Sequence, residues 1–368
     1  GAATYPVVSE HLRAASLLLR IENANDESWI ARFHTFAISE SASTLATPYA
    51  TIRTKTYAPV GVSNPPGIVL LHGIHHLGID EPRLMAFSRA LCQSGFLVFT
   101  PELPEIADYH VNAHTHDVIG TSVQQVSRTS GKKVGLLGLS FAGGDSLLVA
   151  ADARYAGSLA YVVSIGGHED MQRVAKFFIT GQIARPDGTI AALKPHEYGA
   201  LVLMYSDLPY FFPAADLPQA KEALRLLLWE EVDKSKVAAA GLSAQSKEKM
   251  ARLYEHDSSA LRRELAEAIT NHAKEMNAVS PRGHLANLRV PVLLLHGAED
   301  DVVPATEMLW LEKDVSPEYL RGALVTPLLS HVSIAGKPPF REKWALVNFM
   351  AELIKLGDAS RSQDLGKN

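Results

Sequence analysis

The chain has 368 residues, 47% of them hydrophobic and 20% charged, with a formal net charge of −5. That length and apolar content can bury a large core, and the slight acidity gives no general attraction to nucleic acid or anionic membranes. The only cysteine is Cys92, which excludes an intrachain disulfide and any Cys-based metal site. No apolar run approaches the roughly 20 residues of a membrane-spanning helix. The first residue is Gly1 rather than Met, so an exported origin with a removed signal peptide stays as open as a cytoplasmic one.

Residues 9–22 have a helical apolar pattern, with Ser9 as the expected N-cap. A second helix is expected over 27–39, so that about 1–46 forms a helical N-terminal extension. Residues 47–58 alternate and are rich in Thr, Tyr and Ile, as a strand would be. After the Asn64-Pro65-Pro66-Gly67 turn, Ile68-Val69-Leu70-Leu71 reads as a short buried strand running into His72-Gly73. A helix over 81–93 follows, with Cys92 as a small core residue. Phe96-Leu97-Val98-Phe99-Thr100 is the next buried strand, stopped by Pro101. A loop over 101–116 leads to a helix near 117–129. The strand 133–138, a helix over 141–151 and the strand 159–165 come next. Continuous apolar strands alternating with helices predict a doubly wound, mostly parallel α/β sheet covered on both faces.

From 168 to about 288 the pattern is helical, with helices expected near 168–184, 195–206, 217–238, 244–255 and 258–277. A connection of that length between strands reads as an inserted helical cap. The core would then comprise 1–167 and 289–368. Strand 291–297, a helix over 304–313, strand 322–328 and a closing helix over 340–356 complete it. The polar tail 357–368 is expected to fray.

Four segments carry chemistry. In Gly138-Leu139-Ser140-Phe141-Ala142-Gly143, a strand meets a helix through a turn with Ser at its apex and small residues two places on either side. This is the layout of a nucleophile elbow, with Ala142 where the commoner pattern has Gly. The others are Leu70-Leu71-His72-Gly73-Ile74, Leu295-His296-Gly297-Ala298-Glu299-Asp300-Asp301-Val302-Val303-Pro304, and Leu328-Leu329-Ser330-His331 after the last strand. Together, over about 49–356 outside the cap, they resemble the α/β-hydrolase superfamily, in which Ser, acid and His follow in that chain order.

The resemblance implies Ser140 as nucleophile, Asp300 as acid and His331 as base. The backbone N–H groups of Ile74 and Phe141 would form the oxyanion hole. Asp301 and Glu299 are neighbouring alternatives for the acid. A Ser hydroxyl needs an imidazole to take its proton, and the imidazole needs a carboxylate to fix its tautomer. The implied activity is hydrolysis of a small-molecule carboxylic ester. A peptidase or amidase on the same residues is the alternative, as is a catalytically inactive binding protein on this fold; a lyase or acyltransferase comes lower. No cofactor is implied, and a homo-oligomer is compatible.

His72, His75 and His76, with His110, His114, His116 and Asp117, offer zinc-like donors. No H-E-x-x-H accompanies them, and the reading is without a metal. His75, His76 and His168 are expected at the substrate pocket, with Tyr210 from the cap. The remaining cap aromatics read mainly as core.

Overall fold

The computed structural model describes residues 4–257, 259–330, 333–334 and 339–365. The main sheet has eight strands: β1 (Ile38–Ala46), β2 (Thr51–Pro59), β3 (Gly67–Leu71), β4 (Leu97–Pro101), β5 (Val134–Leu139), β6 (Leu159–Ile165), β7 (Val292–Gly297) and β8 (Leu320–Thr326). Their spatial order is β1-β2-β4-β3-β5-β6-β7-β8. From β4 to β8 the neighbours are parallel, while β1–β2 and β2–β4 pair antiparallel. The parallel strands β3, β5 and β7 are buried along their whole length, the expected consequence of helices on both faces.

The period of two along each strand splits the core into two layers. Ile68, Leu70, Leu137, Val163, Leu293 and Leu295 face one layer, built with Leu17, Phe87, Leu91, Phe349 and Leu353. Val69, Leu71, Leu136, Val162 and Leu294 face the other, with Ile119, Val123, Leu147 and Leu311. Cys92 is fully buried in the first layer, and burial pushes its thiol up to about 12.

The chain divides into two compact units, residues 1–169 with 279–368, and residues 170–278. The second unit is mainly helical, from Met171–Thr180 to Ala273–Ala278, and also contains a small hairpin of Gln182–Ala184 and Ile190–Ala192. That hairpin overlaps only the end of the helix expected near 168–184 and otherwise falls before the one expected near 195–206; Asp187-Gly188 supplies its turn, with Gly188 at φ 85°.

Several boundaries differ from the expected ones. The first helix spans Thr4–Glu22, so Ser9 lies inside it rather than capping it. No helix forms over 27–39. There, Asn23 Oδ1 accepts from the Asn25 N–H (3.0 Å), Asp26 Oδ1 from the Ser28 N–H (2.8 Å) and Ser28 Oγ from the Ala31 N–H (3.2 Å). These local bonds compete with a helical ladder. Strand β1 follows instead and pairs with β2 in unbroken register. The closing helix runs from Phe340 to Ser360. The tail beyond it is held as far as Leu365: the Lys133 N–H donates to the Gln363 carbonyl (2.9 Å) and the Leu365 N–H to the Gly131 carbonyl (3.1 Å).

Candidate active site

Ser140 follows β5 and precedes the helix Phe141–Ala151. Its backbone sits at φ 55°, ψ −131°, a sparsely populated region that costs a non-glycine residue about 1–3 kcal/mol. Two bonds hold the turn: the Ser140 N–H donates to the Ile165 carbonyl and the Gly143 N–H to the Ser140 carbonyl, both at 2.8 Å. Close approach dictates the glycine two residues earlier. A Cβ on Gly138 would lie 2.1 Å from the Ala142 carbonyl oxygen, closer than any non-bonded contact. Ala142 itself is fully buried, and its small side chain is accommodated there.

His72 and Gly73 close the end of β3. His72 is buried; the Leu103 N–H donates to its Nε2 (2.9 Å), which assigns the proton to Nδ1, and Nδ1–H donates to the Gly73 carbonyl (2.8 Å). Burial lowers the His72 pKa and favours this neutral form. In a trans peptide the carbonyl and the following N–H point in opposite directions. The His72–Gly73 bond therefore fixes the orientation of the Ile74 N–H. Gly73 lies beside the turn, since a Cβ built on it would be 3.2 Å from the Ser140 Cβ. Phe141 opens the elbow helix, whose first N–H groups have no acceptor within the helix.

Asp300 lies in the loop after β7. Its Oδ1 accepts from the Val302 N–H (3.0 Å) and the Val303 N–H (2.9 Å). Gly166, at the end of the intervening strand β6, has φ 67°. A Cβ there would lie 3.7 Å from Asp300 Oδ2 and 3.9 Å from Ser140 Cα. Ser140 and Asp300 thus approach one point from the ends of β5 and β7. Glu299 is exposed. His331 lies outside the described residues. The described chain just before it reaches this strand end, for a Cβ on Gly297 would meet the Leu329 carbonyl oxygen at 2.2 Å.

The other expected pocket residues are spread more widely. His75 and His76 are partly buried and stack at 4.7 Å between ring centroids. Burial, then the neighbouring His76, lowers the His75 pKa. His168, expected at the substrate pocket, is fully buried. Its Nε2 donates to the Val279 carbonyl (2.8 Å), and its ring occupies the space a Cβ on Gly144 would need. Tyr210 lies in the second unit, with its hydroxyl donating to Glu267. His110 bonds the Asp108 carbonyl, His114 stacks on Tyr49, and His116 Nε2 pairs with Asp152 Oδ2 at 2.8 Å. Among the described residues no group of three or more His, Cys, Asp or Glu side chains is arranged to hold a metal ion.

Two residues near the site escaped sequence reasoning. Asp145, in the elbow helix, is buried, and its Oδ2 meets no hydrogen-bond partner among the described residues. Burial raises its carboxyl to about 8. A lone acid in an otherwise apolar or small-residue helix was the available signal. His296, one residue before the end of β7, is fully buried beside the Asp300 loop.

No family model matches the chain, and no curated protein matches it. Solved structures do. Brefeldin A esterase, a bacterial homologue of human hormone-sensitive lipase, aligns over 97% of this chain and 86% of its own, with a TM-score of 0.51 and 13% identity. A protein assigned as a dipeptidyl aminopeptidase IV from Bacteroides ovatus ATCC 8483 aligns over 89% of this chain and 36% of its own, with a TM-score of 0.51 and 10% identity. At these identities the likeness is one of fold. With the sheet order and the strand–turn–helix at Ser140, it defines an α/β-hydrolase fold. Among the described residues no helix is long and apolar enough to cross a membrane.

Proposed function

We propose that the protein is a serine hydrolase that cleaves a carboxylic ester. The observation that carries this reading is Ser140 at a strained strand-to-helix turn, with Gly73 beside it and Asp300 approaching across Gly166. Strain of this kind persists only where surrounding structure imposes it, and it clusters at functional sites.

In this reading, Ser140 Oγ attacks the ester carbonyl carbon while His331 takes its proton. The Ile74 and Phe141 N–H groups stabilise the oxyanion, His331 returns the proton to the departing alcohol, and an acyl-enzyme remains. Water, deprotonated by His331, then releases the acid and regenerates Ser140. Asp300 holds the imidazole in one tautomer and stabilises its cation. With Oδ1 committed to two loop amides, its Oδ2 is the oxygen assigned to His331. His75 and His76, partly buried and close in sequence to Ile74, are assigned to the mouth of the substrate pocket.

The test is labelling by a fluorophosphonate probe together with hydrolysis of short-chain p-nitrophenyl esters. Native protein should label and turn over, and Ser140→Ala should do neither. Absence of labelling of the native protein, or equal labelling of Ser140→Ala, overturns the reading. An aminoacyl-amide panel run in parallel separates an ester hydrolase from an amidase on the same residues.

A further inference from the structure

We propose that His296 is a positioning residue for the Asp300 carboxylate; this rests on the reading of Asp300 as the acid. Strand β7 carries His296 into the interior, where it is fully buried. Its Nε2 lies 2.8 Å from the Val303 carbonyl oxygen. A carbonyl only accepts, so Nε2 carries a proton and donates it. The other ring nitrogen, Nδ1, is buried with no hydrogen-bond partner among the described residues. The imidazole therefore has a single directed task, to hold Val303.

Val303 transmits that hold to the acid. Its own N–H donates to Asp300 Oδ1 at 2.9 Å, beside the Val302 N–H at 3.0 Å. The residue is thus gripped at its carbonyl by His296 while it grips the carboxylate with its amide. The same Nε2 lies 3.7 Å from Asp300 Oδ2. That is too long for a hydrogen bond, but it sets the N–H edge of the ring beside the carboxylate. One carboxylate oxygen is committed to the loop, and the other faces the side where Gly166 and Ser140 lie. Loss of the imidazole would release Val303 and with it the direction of Oδ2. Misplacing a reacting group by about 1 Å can cost on the order of 100-fold in rate.

The experiment compares His296→Leu, His296→Gln and Asp300→Asn in the 368-residue chain. Turnover of a short-chain p-nitrophenyl ester is normalised to the fraction of enzyme that a fluorophosphonate labels. His296→Leu should lower kcat per labelled site by about 10- to 100-fold, with KM within about twofold. His296→Gln, whose amide N–H can reach the Val303 carbonyl, should recover most of it. A merely structural histidine would instead reduce the labelled fraction, leave kcat per site unchanged, and gain nothing from Gln; that result overturns the proposal. If Asp300→Asn retains full activity, the reading of the acid fails. If Asp300→Asn is inactive while His296→Leu keeps its kcat, only the role of His296 fails. Should His296→Leu not fold, the tautomer of the wild-type protein still tests the premise. Long-range 15N–1H correlation must show His296 protonated at Nε2, and an Nδ1–H tautomer overturns the proposal.

Discussion

Replacing Ser140 by glycine should stabilise the protein relative to replacing it by alanine. Both variants lack the hydroxyl, so the comparison isolates the backbone. Alanine keeps a Cβ and with it the cost of φ 55°, ψ −131°, about 1–3 kcal/mol. Glycine relieves that cost but gives the unfolded chain more freedom, worth about 0.4–1 kcal/mol in the other direction. The net advantage of Gly over Ala is then about 0.5–2 kcal/mol. For a unit of roughly 260 residues, that is about 1–4 °C in Tm, from an unfolding entropy of about 2.1 cal/mol/K per residue. Both backbone bonds at the turn, to Ile165 and from Gly143, are available to either variant. Paired thermal melts and urea titrations give the difference. If Ser140→Gly is no more stable than Ser140→Ala, the turn stores no strain, and the main structural support for a nucleophile at this position goes with it.

Gly138→Ala puts a methyl 2.1 Å from a backbone oxygen that no rotamer change can move, so a loss of about 3 kcal/mol or more is expected; a melt within a degree or two of wild type would contradict the elbow geometry. Asp145 holds its proton in the folded state up to about pH 8, against an ordinary 3.8 in the unfolded chain. Stability should therefore fall as pH rises from about 4 to about 8 and level off above that. Asp145→Asn should gain on wild type in urea titrations at pH 9 but not at pH 4, and an equal difference at both would refute the assignment. His72→Leu leaves the Leu103 N–H and the Gly73 carbonyl without their partner, at roughly 2–4 kcal/mol. If the Ile74 N–H then loses its aim, ester turnover per labelled site should drop by about 100-fold; unchanged turnover would show that the Gly73–Ile74 peptide needs no such support.

The fold was legible wherever backbone physics leaves a mark in residue type. Continuous apolar runs marked β3, β5, β6 and β7, and their alternation sorted each strand between two layers. The Gly138-Leu139-Ser140 spacing located the strained turn because a Cβ at Gly138 has nowhere to go. The stretch 27–39 was misread because Asn23, Asp26 and Ser28 satisfy backbone groups locally, an outcome that apolar periodicity does not report. Strand β1 was missed for a related reason. Its Ser- and Ala-rich edge is exposed over most of its length, so it lacks the apolar signature of a buried strand. The tail was expected to fray from its polarity, yet its backbone bonds to Gly131 and Lys133 do not depend on side-chain type.

Histidine is where residue type informs least, since the same imidazole serves as ligand, pocket wall or core brace. The partner atom decides, and three buried histidines share one pattern. His72 donates to the Gly73 carbonyl after β3, His168 to the Val279 carbonyl, and His296 to the Val303 carbonyl after β7. At His72 and His296 the carbonyls lie in loops at the carboxyl ends of parallel strands, which no ladder completes, and a buried carbonyl without a donor is costly. An imidazole is short, flat and able to donate from a fixed ring position, so it can complete such a loop without opening it to water. In two of the three cases the loop so fixed carries a group of the proposed site, the Ile74 N–H and the Asp300 carboxylate. Of the buried histidines, His72 and His296 are therefore the ones whose loss should misdirect the proposed chemistry before it unfolds the sheet.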